Sequence, residues 1–202
     1  HGKLTTTHID LSLQQRVEEL STRWNRELRL QNIRDLAVVI VEVESGEVVA
    51  YCGNSDMSFD REGKWVDIAR ANRSSGSILK PLLYTAALQE KIILPETLLP
   101  DVPTDFGGFK PKNFDGTYTG AIAADEALAL SLNIPNVHLL KKYGVARFAE
   151  TLQRAGFVSL NRPTNEYGLS LVLGGAEVRL CDVVSCYACM AACYADTTAC
   201  RE

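Results

Sequence analysis

The segment that most constrains this chain is an unbroken apolar run rich in β-branched residues, Leu36-Ala-Val-Val-Ile-Val41. A run of this kind predicts a buried strand. Ser45-Gly46 turns the chain, and Glu47 to Tyr51 returns, so the two stretches read as a hairpin. A sheet of two strands cannot stand alone. A helix must cover it, or further strands must come from elsewhere.

Helical patterns fill most of the rest. Ser12 to Leu30 carries Leu13, Val17, Leu20, Trp24 and Leu28 at three- and four-residue steps, with Ser12 and Gln15 placed for a capping box. Ile78 to Gln89 is a second helix. Pro95 to Gly120, rich in Pro, Gly, Asp and Asn, reads as a long ordered loop. Ala121 to Leu130 reads as a third helix, and Pro135 opens a fourth that Gly144 ends. Val145 to Ala155 and Glu177 to about Tyr194 complete the set. The expected fold class is α/β (α+β), with helices packed on an antiparallel sheet and fewer strands than that sheet needs. The 202 residues suffice for one domain with a real core.

The net charge of −4 leaves no basic excess to neutralise phosphates, which argues against a nucleic-acid partner. No apolar run approaches a membrane span, and the N-terminus lacks a signal-peptide pattern. Five of the six cysteines crowd positions 181 to 200. Cys186-Tyr-Ala-Cys189 could suggest a metal or redox site, but no second C-x-x-C or nearby histidine completes a zinc set. Cys186, Cys189 and Cys193 share a helix face with Val183 and Met190, so packing is the expected role. No metal and no cofactor is implied.

The histidines His1, His8 and His138 are far apart, and no G-x-S-x-G elbow is present. A Ser-His-Asp site has little support. What remains is Gly76-Ser77-Ile-Leu-Lys80-Pro81. Ser77 and Lys80 are three apart at a helix start, a spacing that puts them on one face. A serine needs a base to attack a carbonyl, and a partly buried lysine can be that base. The Ser77 N–H is a candidate oxyanion donor. The bare S-x-x-K pattern nevertheless arises by chance about once in such a chain. Ser131-Leu132-Asn133 is a second candidate, able to relay a proton and hold a substrate amide, and Ser159-Leu160-Asn161 has the same three residues. Either triplet could equally be a helix cap.

Gly76-Ser77-x-x-Lys80-Pro81 followed by Ser131-x-Asn133 resembles the first two motifs of penicillin-binding transpeptidases and serine β-lactamases. The flanks resemble class A penicillin-binding proteins, the 1C subtype best. They include Thr6-Thr7-His8-Ile9-Asp10 with Gln14, the Val41–Ala50 hairpin, Lys112-Asn113-Phe114-Asp115, Glu126–Pro135 and Leu171–Glu177. The resemblance favours Ser131 over Ser159. It implies Ser77 as nucleophile, Lys80 as base, Ser131 as proton relay and Asn133 as the group positioning the substrate peptide. It implies a D,D-transpeptidase that cross-links peptidoglycan stem peptides ending in D-alanyl-D-alanine and is acylated by β-lactams.

The family's third motif, Lys-Thr/Ser-Gly, is absent. Residues 1–202 are therefore expected to be the N-terminal portion of the transpeptidase domain, nearly inactive alone. Missing strands would leave an open sheet edge through which two copies could pair. The implied setting is extracytoplasmic, on the periplasmic side, with a membrane anchor and a glycosyltransferase domain that the chain itself does not contain. The competing readings are a degenerate or β-lactam-sensing binder, a class D type β-lactamase, and a metal or redox module built on the cysteines.

Overall fold

The computed structural model describes residues 5–55 and 63–199. In chain order the elements are α1 (Leu11–Arg29), β1 (Val38–Val41), β2 (Val48–Cys52), β3 (Arg73–Ser74), α2 (Lys80–Gln89), β4 (Leu98–Asp101), β5 (Gly120–Ala123), α3 (Ala124–Ala129), α4 (Asn133–Tyr143), α5 (Val145–Arg154), β6 (Glu177–Val178) and α6 (Leu180–Ala199). Short 3-10 turns lie at Thr164–Glu166 and Leu169–Leu173. The chain divides into two units, one made of the segments up to Arg73 and from Arg179 onward, the other of Ser74–Val178.

In the first unit the expected hairpin forms. β1 and β2 pair antiparallel with Val38 opposite Cys52 and a bulge between Ile40 and Val41. β1 is half-buried along its length rather than fully buried. Helix α1 covers the ladder through Val17, packed with Ala50 and Cys52. Two details differ from the sequence pattern. The N-cap is Asp10, whose carboxylate accepts from Leu13 N at 2.9 Å and from Ser12 Oγ at 2.6 Å, so Ser12 and Gln15 form no capping box. The buried face runs through Val17, Ser21 and Asn25, while Leu20 and Trp24 are exposed. Asn25 is drawn inward because its amide donates to the Arg34 carbonyl at 3.0 Å.

Gln14 is free to act as a strand surrogate. Its amide donates to Tyr51 O at 2.9 Å and accepts from Tyr51 N at 2.8 Å, while Asp10 N donates to Val49 O at 2.9 Å. The outer edge of β2 is thus occupied. Helix α6 packs on β1. Its Cys186 is buried as expected of a packing residue, but Cys189 and Cys193 are exposed, so the packing role holds for only part of the cluster. Cys200 lies outside the described residues.

The second unit is built around two helices buried on most sides. In α4, Ile134, Val137 and Leu140 are fully enclosed, and in α2 so is Leu83. Helices apolar around most of their circumference belong in a core. Phe148, Ala149 and Leu152 of α5 complete the packing. Pro95 to Gly120 is not loop throughout, and 121–130 is not one helix. β4 pairs antiparallel with β5, Leu98 opposite Ala123 and Asp101 opposite Gly120. Alanine's helix preference at 121 and 123 yields to this ladder, and the helix starts only at Ala124. The three small two-stranded sheets, two of them antiparallel ladders, and the covering helices keep the chain in the expected mixed α/β class. No helix among the described residues is long and apolar enough to cross a membrane.

Candidate active site

Two helix N-termini carry the site. Lys80 is the first residue of α2, and Asn133 is the first residue of α4. Ser77 is not helical. It sits in the turn before α2, where Ile78 N donates to Ser75 O at 3.2 Å and Lys80 N to Ser77 O at 3.1 Å. Ser77 is exposed, and its hydroxyl has no hydrogen-bond partner among the described residues. The expected one-face contact of Ser77 with Lys80 is therefore not made at hydrogen-bond distance. The reason is geometric: helical spacing does not apply to a residue in the turn outside the helix, and the lysine stem runs inward.

Lys80 is 1% exposed. Its Nζ lies 2.7 Å from Ser131 O, 2.8 Å from Asn133 Oδ1, 3.2 Å from Leu132 O and 3.3 Å from Ser131 Oγ. Three of these four oxygens can only accept, so they favour the ammonium. Burial opposes them and brings the group from its ordinary 10.5 down to about 8. The positive ends of two helix dipoles act in the same direction as burial. The result is an ammonium that gives up its proton near pH 8 instead of 10.5, with one hydroxyl, that of Ser131, beside it.

Ser131 reaches that place through an unusual backbone. Its φ is +53°. Ser131 N donates to Leu128 O at 2.9 Å and Leu132 N to Ala127 O at 3.0 Å, the two bonds of a Schellman ending for α3. Glycine is the usual residue there, and any other pays about 1–2 kcal/mol. A strained serine whose carbonyl and hydroxyl both meet a buried lysine points to function. Ser131→Gly is therefore expected to raise stability by about 1 kcal/mol while slowing acylation. Thermal melting and acylation kinetics on one preparation check both halves, and unchanged kinetics would contradict the second.

The Ser159 triplet makes none of these contacts, and Ser159 Oγ is buried with no hydrogen-bond partner among the described residues. Lys80 thus brings together Ser131 and Asn133 as the sequence grouped them, and leaves Ser159 out. Two residues escaped the sequence reading of the site. Asn113 Oδ1 accepts from Asn133 N at 2.9 Å and Ile134 N at 3.2 Å, and Asn113 Nδ2 donates to Asp101 Oδ1 at 2.7 Å. A signal for Asp101 did exist. Alternation along β4 puts it on the same face as Leu99, and a buried acid needs partners.

Gly76 adopts φ +53°, but a Cβ there would meet nothing within 4 Å. The close approach is at Gly174, where a Cβ would stand 2.9 Å from Gly76 N and 2.6 Å from Ser74 Oγ. A side chain at 174 would push on the residue before Ser77. Other chemistry is spoken for: His138 Nε2 lies 3.2 Å from Thr104 Oγ1 and its ring meets Phe106 edge-on, far from a triad role.

The family model of the penicillin-binding protein transpeptidase domain matches residues 36–168. The chain belongs to the penicillin-binding protein transpeptidase family. Penicillin-binding protein 1C of Escherichia coli is 40% identical over 190 residues, which are 94% of this chain and 24% of that protein. Penicillin-binding protein 1F of Bacillus subtilis is 34% identical over 142 residues, 70% of this chain and 19% of that protein. The chain thus spans about a quarter or less of the curated relatives it matches. The penicillin-binding protein PonA1 of Mycobacterium tuberculosis, solved in complex with penicillin V, superposes with a TM-score of 0.74 at 27% identity, covering 93% of this chain and 51% of that one. The resemblance to class A proteins read from the motifs, and to 1C in particular, agrees with these relatives.

Proposed function

We propose that this chain contributes the nucleophile and base of a peptidoglycan D,D-transpeptidase that is acylated by β-lactams. The observation that carries this is the buried Lys80, held against Ser131 and Asn133 at the foot of the turn bearing exposed Ser77. Ser77 Oγ attacks the penultimate carbonyl of a stem peptide ending in D-alanyl-D-alanine, and the neutral Lys80 amine takes the hydroxyl proton. The C–N bond breaks, and Ser131 passes a proton to the departing D-alanine amine. An amine of a neighbouring strand then attacks the Ser77 ester, forming the cross-link and returning the serine. Asn133 orients the peptide. A β-lactam acylates Ser77 by the same attack, its ring amide standing for the scissile bond.

The activity belongs on the extracytoplasmic face, where peptidoglycan is built, with anchoring supplied by the protein outside these residues. We read residues 1–202 as the amino-terminal portion of the transpeptidase domain. The chain has no Lys-Thr-Gly or Lys-Ser-Gly, so alone it lacks that motif's oxyanion donor and is expected to be slow; loss of one such donor costs about 100- to 1,000-fold. That same absence is what favours a second reading, a non-catalytic β-lactam sensor. Turnover of a D-alanyl-D-alanine peptide by the full-length protein separates the two: release of D-alanine excludes the sensor, and acylation by penicillin without release supports it.

The open sheet edge expected from the sequence narrows to β1, because Gln14 and Asp10 occupy the β2 side. Two copies of the chain pairing through β1 would give a dimer, and light scattering that returns a monomer at all concentrations counts against it.

A further inference from the structure

The N-terminus of α4 poses a problem that its own sequence does not solve. The N-cap is Leu132, which has no side-chain acceptor. A helix start leaves four N–H groups to satisfy. Leu132 N is taken by Ala127 O in the Schellman bond. Pro135 has no N–H to offer. The two that remain, Asn133 N and Ile134 N, both donate to Asn113 Oδ1, at 2.9 and 3.2 Å. The cap is supplied from 20 residues earlier in the chain.

Asn113 is held in that orientation completely. It is 3% exposed. Its amide protons go to Asp101 Oδ1 at 2.7 Å and Thr117 O at 2.9 Å. Turning the amide over would set donor against donors at Asn133 and Ile134 and acceptor against acceptors at Asp101 and Thr117. Asp101 is fully buried, and its other oxygen accepts from Thr119 N at 2.8 Å and Thr119 Oγ1 at 3.0 Å. A connected series of bonds thus runs from Asp101 through Asn113 to the backbone of Asn133, and from the Asn133 side chain to Lys80 Nζ.

We propose that Asn113, oriented by Asp101, is a positioning residue for the acylation step: it fixes the first turn of α4 and so aims Asn133 Oδ1 at Lys80. An ordinary Ser or Asp at the N-cap would satisfy the helix equally well. Here the backbone carbonyl of Leu132 accepts from Lys80 Nζ at 3.2 Å and from Asn136 Nδ2 at 2.6 Å, while its N-cap role is filled by Asn113. The proposal rests on the acyl-transfer reading given above.

The test is a mutant cycle on the full-length protein. The rate constant for acylation by a fluorescent penicillin is measured per titrated site for wild type, Asn113→Ala, Asn133→Ala and the double variant. Misplacing a reacting group by about 1 Å can cost up to about 100-fold, so Asn113→Ala is expected to slow acylation by about tenfold or more. In the Asn133→Ala background the same change is expected to cost less than about threefold, because groups acting in series are not additive. Asp101→Asn, nearly the same shape, is run through the same cycle in case Asn113→Ala does not fold, and is expected to behave alike. Losses that multiply in the double variant, or single variants as fast as wild type, overturn the proposal and leave the functional reading intact. A wild-type protein that penicillin does not acylate removes the functional reading, and the proposal with it.

Discussion

Lys80→Met is expected to slow acylation of Ser77 by about 100- to 10,000-fold, the range for removing a positioned general base. Methionine fills a similar volume and keeps the stem packed, so the variant should remain folded by circular dichroism. The pH dependence of the unmodified protein carries the same claim. Burial places the Lys80 ammonium at about 8 instead of 10.5. Below that value the amine is protonated and cannot take the serine proton. The acylation rate should therefore climb about tenfold per unit toward pH 8 and flatten above it. A rate still climbing toward 10.5 would mean that burial does not lower the proton affinity of Lys80 in this way. The sign of the stability effect follows from the same shift. Between about pH 8 and 10.5 the unfolded chain holds more protons on this lysine than the folded one, so this group makes the fold more stable as pH rises through that window.

Phe148→Ala should be the most damaging single truncation in the second unit, costing about 3–5 kcal/mol. Phe148 is fully buried and meets Tyr143 of α4 edge-on, with ring centroids 6.2 Å apart. That loss is a large part of the usual margin of about 5–15 kcal/mol. Because α4 carries Asn133 at its start, weakened packing at its far end should also lower the fraction of sites that titrate with penicillin. Chemical denaturation measures the first effect and active-site titration the second. A midpoint shift worth under about 1 kcal/mol would contradict the packing described here.

The sequence was legible where local rules and tertiary packing agree. The hairpin at 38–52, the helices after Gly144, and the grouping of Lys80 with Ser131 and Asn133 followed from periodicity, turn residues and the family's motif spacing. It was not legible where a distant partner decides. The Ala-rich stretch at 121–123 looks helical until β4 is present to pair with it. The buried stripe of α1 runs through Ser21 and Asn25 because a carbonyl nine residues further along the chain, that of Arg34, attracts the asparagine. Ser77 and Lys80 obey helical spacing in sequence, yet the helix begins only at Lys80. The role of Asn113 could not be read from its own surroundings, because a cap borrowed across 20 residues leaves no local signature. The αL serine at 131 was equally hidden, since Schellman endings announce themselves by glycine.

The most direct measurement is the location of the penicillin adduct. The full-length protein and its Ser77→Ala variant are incubated with a labelled penicillin, weighed intact, digested and mapped by mass. The account predicts one adduct per molecule, on the peptide that carries Ser77, and none on the variant. An adduct on another residue, an adduct that survives Ser77→Ala, or no adduct on either protein would contradict it.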